Sequence, residues 1–167
     1  MQRVHRQLDR VHRQLLDAIA PLDAEKFARR PAPGRWSVAE VVHHLCLVEQ
    51  RIMQQLEHEL TQPPGRVPLL NRLIPYRLLV GCRVRRVRAP KAVEPLNPPP
   101  KEIAIENYNR QRDQLKAFGN QHGRSRLSRI VLEHPFLGDF NGLKAIAFLG
   151  HHERRHYKQI REIIEQL

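Results

Sequence analysis

Two histidines near the C-terminus are spaced for binding one metal ion. They belong to the string His152-Glu153-Arg154-Arg155-His156. In a helix their imidazoles lie one turn apart on the same side. Taken literally, the string is the H-E-x-x-H motif of zinc peptidases, in which both histidines bind zinc and the glutamate acts as the base. It is therefore the first place to look for chemistry.

The residues around this string differ from those of zinc peptidases. A metzincin has Gly and His where this chain has Gln159 and Glu162. The other common arrangement takes a glutamate from a later helix, and we expect no room for one between His156 and Leu167. We therefore expect the third metal ligand upstream, and a peptidase ranks last among the functions considered.

The apolar positions near the C-terminus decide which histidines face the protein interior. With helical spacing they comprise Ala145, Ile146, Leu149, Ile160, Ile163, Ile164 and Leu167. We predict a helix from about Asn141, a good N-cap, nearly to Leu167. At about 100° per residue, His156 lies within about 30° of the middle of the apolar face and His152 within about 70°. His151 points to the far side, so the periodicity selects His152 and His156.

An earlier helix is marked by its N-terminal signal. Ser37-Val38-Ala39-Glu40 has the S-x-x-E form of a capping box, and we predict a helix from Ser37 to about Leu60. Its apolar face is formed by Val38, Val41, Leu45, Val48, Ile52 and Leu56. His44 falls about 90° from the middle of this face, whereas His43 points almost directly away. We expect His44 at the border of the core and His43 in water.

Glu49 projects close to the middle of the same apolar face. A buried carboxylate is costly unless it is paired or hydrogen-bonded. Two interpretations stay open: a partner such as an arginine or the N–H of Trp36, and a role beside a metal ion. Glu153 is likewise a candidate for a base or for a group that orients a ligand.

Two further helices complete the pattern. The first runs from about residue 3 to Ala20, with His5 and His12 at its polar margin, where interhelical or solvated histidines are commoner than ligands. A connector covers residues 21–36.

The third helix follows Pro100 and ends near Gly119. Leu127, Ile130 and Val131 indicate one more helical turn. Four main helices predict an all-α fold, a four-helix bundle that forms a single domain over residues 1–167.

A long crossover rich in proline and arginine separates the second and third helices. Its proline density forbids long regular elements, although Leu73, Tyr76, Val80, Val84 and Val87 are compatible with a short basic amphipathic helix. The densest positive patch of the chain lies here: Arg72, Arg77, Arg83, Arg85, Arg86 and Arg88. Such a patch is either a solvated face or a site for an anionic partner.

Charge and cysteine content limit the classes of partner and the cellular compartment that we expect. The formal charge of +12 and the pI near 10.8 fit nucleic acid, a membrane surface or a carboxylate-bearing small molecule. Cys46 and Cys82 form no C-x-x-C motif, so we expect a reduced, cytoplasmic protein. No stretch has the length of a membrane span and the N-terminus lacks the apolar run of a signal peptide, so we expect no membrane partner.

Two segments resemble the DinB-like superfamily of metal-dependent enzymes, also called YfiT-like. One is Pro33-Gly34-Arg35-Trp36-Ser37-Val38-Ala39-Glu40-Val41-Val42-His43-His44-Leu45, with its Trp-Ser, Glu and His-Leu pattern. The other comprises His134-Pro135, Gly138 and His152-x-x-x-His156-x-x-Gln159-Ile160. The resemblance implies a four-helix bundle with one long crossover and a divalent-metal site of three histidines. The implied ligands are His44, His152 and His156.

The resemblance also bears on the reaction. The family includes S-transferases and isomerases that use bacillithiol or mycothiol, and a domain of ergothioneine-synthesising enzymes. We expect a divalent metal, with zinc as first choice and nickel, iron or manganese as alternatives. The expected activity is thiol S-transfer or hydrolysis on a small molecule, with an anionic low-molecular-weight thiol as one candidate partner. The alternative is a basic nucleic-acid-binding module without catalysis. A homodimer is kept as an option beside a monomer.

Overall fold

Four long helices form the frame of the protein. The computed structural model describes residues 2–68, 71, 89–133 and 138–167. Within these ranges the helices are α1 (Gln2–Ile19), α2 (Ala24–Ala28), α3 (Val38–Leu60), α4 (Lys101–Leu127) and α5 (Gly142–Ile164). A 3₁₀ turn spans Lys91–Val93, and two short strands are β1 (Val131–Leu132) and β2 (Phe140–Asn141). The all-α helical bundle predicted from the sequence is confirmed.

Side-chain caps set where the two histidine-bearing helices begin. The Ser37 hydroxyl accepts the Glu40 N–H at 3.2 Å, and the Glu40 carboxylate accepts the Ser37 N–H at 2.7 Å. This reciprocal pair is the predicted capping box. Asn141 caps α5 by accepting the Lys144 N–H at 2.9 Å. Since each cap satisfies backbone donors that have no partner inside the helix, both starting points follow from local sequence.

The connector between α1 and α3 contains a helical turn that was not predicted from the sequence. Asp23 caps α2 through the Lys26 N–H at 2.7 Å, and Phe27 is buried at its centre. A five-residue helix shows too little periodicity to stand out in the sequence.

The predicted end of the third helix near Gly119 was wrong. Helix α4 continues to Leu127, and the non-helical backbone lies at Gly123, where φ is 66°. Gly119 lies inside this helix, where a glycine costs only about 1 kcal/mol relative to alanine. Burial of Phe118 and Leu127 on either side offsets that cost.

The further helical turn predicted from Leu127, Ile130 and Val131 was right for Leu127, which lies in the turn that follows Gly123, and wrong for Val131. Val131 and Leu132 instead pair antiparallel with Asn141 and Phe140. Both Leu132 and Phe140 are buried, so the pairing closes one end of the core.

The bundle interior contains two apolar clusters with a polar layer between them. Each long helix contributes to both clusters. One contains Leu8, Ile52, Leu115 and Leu149, and the other contains Leu15, Leu45, Tyr108 and Ile160. Between these positions each helix carries at least one buried polar residue, and we use the name polar layer for one from each helix: His12, Glu49, Arg112 and Glu153.

The crossover is described only at its two ends. Gly65 donates its N–H to the Arg129 carbonyl at 2.9 Å, and the Lys91–Val93 turn buries Val93. Three predictions concern residues outside the described ranges: the basic amphipathic helix from Leu73 to Val87, the arginine patch from Arg72 to Arg88, and His134-Pro135. Among the described helices, none has the length and apolar character needed to cross a membrane.

Candidate metal centre

Three histidines from two helices bring their ring nitrogens together. His44 comes from α3, and His152 and His156 come from α5. One nitrogen of each lies within 4.8 Å of the others. His152 Nε2 and His156 Nε2 are 3.2 Å apart, and the His44 ring centroid lies 4.9 Å from that of His156. The structure thus unites the three histidines that the sequence had placed at the core border on two separate helices.

Hydrogen bonds orient two of these imidazoles. His44 Nδ1 lies 2.7 Å from the Val93 carbonyl oxygen, and His156 Nδ1 lies 2.9 Å from Gln159 Oε1. Because a carbonyl oxygen only accepts, these partners assign the proton to Nδ1 and the lone pair to Nε2 in each ring. Burial lowers the pKa of His44 below its usual value and keeps the ring neutral. A neutral imidazole with an oriented lone pair is the form that binds metal.

The donor set fits a divalent metal ion. Two nitrogens bound to one tetrahedral zinc, each at about 2.0–2.1 Å, are separated by about 3.3 Å. The 3.2 Å between the Nε2 atoms of His152 and His156 matches this spacing. Three imidazoles suit zinc, nickel, iron and copper alike, and they leave coordination positions open.

Two aromatic rings flank the histidines. The Trp36 centroid lies 5.0 Å from that of His44 and 6.5 Å from that of His156. Phe148 stacks against His152 at 5.5 Å. Neither ring was predicted at the site from the sequence. Phe148 precedes His152 by one helical turn, so this spacing predicts that the two rings lie on the same face of the helix.

The polar layer is centred on Arg112. Its Nη2 lies 3.2 Å from Glu49 Oε2 and 3.0 Å from Glu153 Oε1, and the three side chains are almost completely buried. Tyr108 donates its hydroxyl hydrogen to Glu153, and His12 Nδ1 lies 3.6 Å from the same carboxylate oxygen. Of the interpretations kept for Glu49, the structure shows the ion pair with an arginine.

Burial dominates the titration of this layer. It raises the pKa of Glu49, although Arg112 acts in the opposite direction. Burial also raises the pKa of Glu153 well above its usual value, and the neighbouring charge of Glu49 adds to the effect. Arg112 thus faces two carboxyl groups whose ionised forms are both costly in the interior.

His12 joins α1 to α4. Its Nε2 lies 2.8 Å from Asn109 Oδ1 and its ring stacks on Tyr108 at 4.3 Å. Burial, with Arg112 next in effect, lowers the pKa of His12 to about 4. The interpretation of His12 as an interhelical histidine is confirmed.

His43 and His151 were both expected to point away from the interior. His43 is half-buried, and burial lowers its pKa, so the expectation that it lies in water was wrong. The reason is that α4 packs beside α3 and covers part of this flank. His151 is also half-buried and is not one of the three clustered histidines.

Comparison with known proteins agrees with this architecture. A family model described as the DinB superfamily matches residues 7–160. The uncharacterized protein YuaE of Bacillus subtilis (strain 168) is 28% identical over 151 residues, which cover 87% of this chain and 88% of YuaE.

One solved structure extends the comparison to three dimensions. YfiT from Bacillus subtilis, described as a probable metal-dependent hydrolase with an unusual four-helix bundle topology, superimposes with a TM-score of 0.67 and 15% identity. The match covers 98% of this chain and 85% of YfiT. At this identity the similarity establishes the shared fold.

Proposed function

This chain belongs to the DinB superfamily, and from that premise we propose that it is a metal-dependent enzyme acting on a small molecule. His44, His152 and His156 hold a divalent metal ion, with zinc as the first choice. The reaction is either hydrolysis or S-transfer from a low-molecular-weight thiol. YfiT, which shares the fold, is described as a probable metal-dependent hydrolase.

One observation carries the proposal: the clustering of three imidazole nitrogens from helices far apart in sequence. The nitrogens lie within 4.8 Å of one another. Two of the rings have Nδ1 held by acceptors, so that Nε2 presents a lone pair. Buried histidines that serve only packing have no need to converge in this way.

The side chains around the centre have separate tasks. His44, His152 and His156 would hold the metal ion, and the chemistry it would supply is a nucleophile at neutral pH, through a lowered pKa of a bound thiol or water. Val93 and Gln159 orient the imidazoles, and the rings of Trp36 and Phe148 limit the directions from which a substrate approaches.

Glu49 and Glu153 were considered as bases or as groups that orient a ligand. Their hydrogen bonds to Arg112 and Tyr108 favour a positioning role over proton transfer. Glu153 lies between two of the three histidines in sequence, so anchoring its carboxylate also restrains the rotation of α5.

Metal analysis of the purified protein tests the first half of the proposal. We expect about one divalent ion per chain, and an affinity at least about 100-fold lower in His44→Ala and in His156→Ala. His151→Ala is the matched control, because it removes an imidazole from the same helix outside the cluster. Equal metal affinity in His156→Ala and His151→Ala would contradict the assignment.

A substrate screen tests the second half. The metal-loaded protein is incubated with model esters and amides, and separately with low-molecular-weight thiols and alkyl or epoxide electrophiles. Product formation that is lost in His44→Ala and restored by metal addition to chelated wild type supports an enzyme. Turnover in the first set identifies a hydrolase, and turnover that requires the thiol identifies an S-transferase.

A further inference from the structure

A cavity of about 690 Å³ opens between α3 and α4. It lies on the flank of α3 that carries His43, not on the flank of His44, so it is separate from the three clustered histidines. Five glutamines line it: Gln50, Gln54, Gln111, Gln114 and Gln121. We call this cavity the α3/α4 groove.

Three buried polar atoms at the groove lack a hydrogen-bond partner among the residues that the structure describes. They are His43 Nδ1, Glu49 Oε1 and Gln111 Oε1, and all three residues line the groove. Glu49 is 5% exposed. Native proteins leave few buried polar atoms unsatisfied, and each exception requires an explanation. Two of these atoms are oxygens, so a molecule bound in the groove that supplies N–H or O–H groups would satisfy them.

The charge of the groove has the opposite sign to that of the chain. Its lining includes the carboxyl groups of Glu49 and Glu57 and the guanidinium of Arg110. The Arg110 guanidinium is already engaged, because it donates to Asn107 and lies 3.6 Å from Glu106. In the polar layer one guanidinium, that of Arg112, serves both Glu49 and Glu153. With two carboxyl groups and one guanidinium, the lining has a formal charge of −1 in a chain of formal charge +12, and this favours a cation.

Apolar side chains complete the lining. Leu47, Met53, Ala117 and Phe118 border the same space as the amides. An alkyl or aryl group fits against them, while the amide groups can adjust to either donors or acceptors.

From these observations we propose that the α3/α4 groove binds a small organic cation that carries a primary ammonium or guanidinium group on an apolar chain. The N–H groups of the cation donate to Glu49 Oε1 and Gln111 Oε1, and its apolar part lies against Met53 and Phe118. The site is distinct from the metal centre and does not depend on the function proposed for that centre.

Matched small probes test the chemistry. Agmatine and pentylamine supply the cation, 1-pentanol is the neutral analogue, and pentanoate is the anionic one. Binding to the full chain is followed by ligand-observed NMR and isothermal titration. We expect both cations to bind at least about 10-fold more tightly than 1-pentanol, because charge-assisted hydrogen bonds are lost in the alcohol. Pentanoate is expected not to bind.

Substitutions test the location. Glu49→Gln and Gln111→Met are each expected to weaken agmatine binding by about 10-fold or more. Asn120→Ala, an exposed position on the same helix, is the matched control. His152→Ala is expected to bind agmatine like wild type, since it changes the metal centre alone. If Glu49→Gln does not fold, agmatine binding by Gln111→Met tests the location alone, because Gln111 is outside the polar layer and its replacement leaves the buried ion pairs intact.

Three results would overturn the proposal. The first is the absence of agmatine and pentylamine binding at millimolar concentration. The second is equal binding of pentylamine and 1-pentanol. The third is agmatine binding that folded Gln111→Met retains at wild-type strength.

Discussion

Replacing Arg112 with methionine is the sharpest test of the polar layer. Methionine keeps much of the length of the side chain but removes the only guanidinium that contacts both Glu49 and Glu153 among the described residues. Removing one partner of a buried ion pair costs about 3–5 kcal/mol, because a buried charge is left without compensation. At near-neutral pH we therefore expect Arg112→Met to lower the free energy of unfolding by about 3–5 kcal/mol.

The pH dependence of this loss follows from the carboxyl groups. Burial already raises the pKa of Glu49 and of Glu153, and removing Arg112 takes away a charge that lowers the pKa of Glu49. A carboxyl group with a raised pKa in the folded state favours folding at low pH, and this advantage is lost as the pH rises through the folded pKa. His12 acts in the same direction, since loss of Arg112 lets it take up a proton beside Glu153. The loss of unfolding free energy caused by Arg112→Met should therefore become smaller as the pH falls toward about 5.

Urea unfolding followed by far-UV circular dichroism measures this effect, in the presence of a chelator so that metal binding does not contribute. Arg110→Met is the matched control, because Arg110 is exposed on the same helix and its loss should cost less than about 0.5 kcal/mol. Adding Glu49→Gln and Glu153→Gln to Arg112→Met should restore part of the stability, as no buried charge then lacks a partner. An unfolding free energy of Arg112→Met within about 0.5 kcal/mol of wild type at neutral pH would refute the reasoning.

Four further substitutions test three single features. Wild type should lose about 2–3 kcal/mol of unfolding free energy as the pH falls from 6.5 toward about 4, because the buried neutral ring of His12 resists protonation. His12→Gln should not show this loss. Equal pH profiles of wild type and variant in urea unfolding would contradict this. Ser37→Ala should cost about 1 kcal/mol through loss of the α3 cap, measured by the same method, and an unchanged midpoint would argue against the capping box. Gly142→Ala should cost about 1–3 kcal/mol, because the new Cβ would lie 2.9 Å from the Leu127 carbonyl oxygen. Gly150→Ala, where the nearest contact is the flexible Leu8 side chain at 3.2 Å, should lower the melting temperature less, and the reverse order would count against the argument.

Much of the frame could be predicted because its signals are local. The caps at Ser37 and Asn141 lie within one turn of the N–H groups that they satisfy, so they placed the starts of α3 and α5 correctly. Helical phase also selected His44, His152 and His156 as interior-facing, and the structure brings their nitrogens together. Their role as metal ligands stays a prediction until metal is measured.

Other features depend on neighbours that are remote in sequence. Helix α4 continues past Gly119 because Leu127 gains burial beyond it, and Val131 becomes a strand because it pairs with Asn141. His43 is half-buried because α4 lies beside α3. Local propensity is worth about 1 kcal/mol or less per residue, so packing overrides it at such positions.

The amino-acid sequence by itself determined most of the side chains of α1, α3 and α5 that face inward, because a helix repeats its faces every 3.6 residues whatever surrounds it. Only the tertiary structure decided how those side chains pair. It placed the Val93 carbonyl on His44, shared Arg112 between Glu49 and Glu153, and left a polar groove between α3 and α4. Such pairings depend on how far each helix slides and rotates against its neighbours. That register results from the packing of all the interior side chains together, and no single segment encodes it.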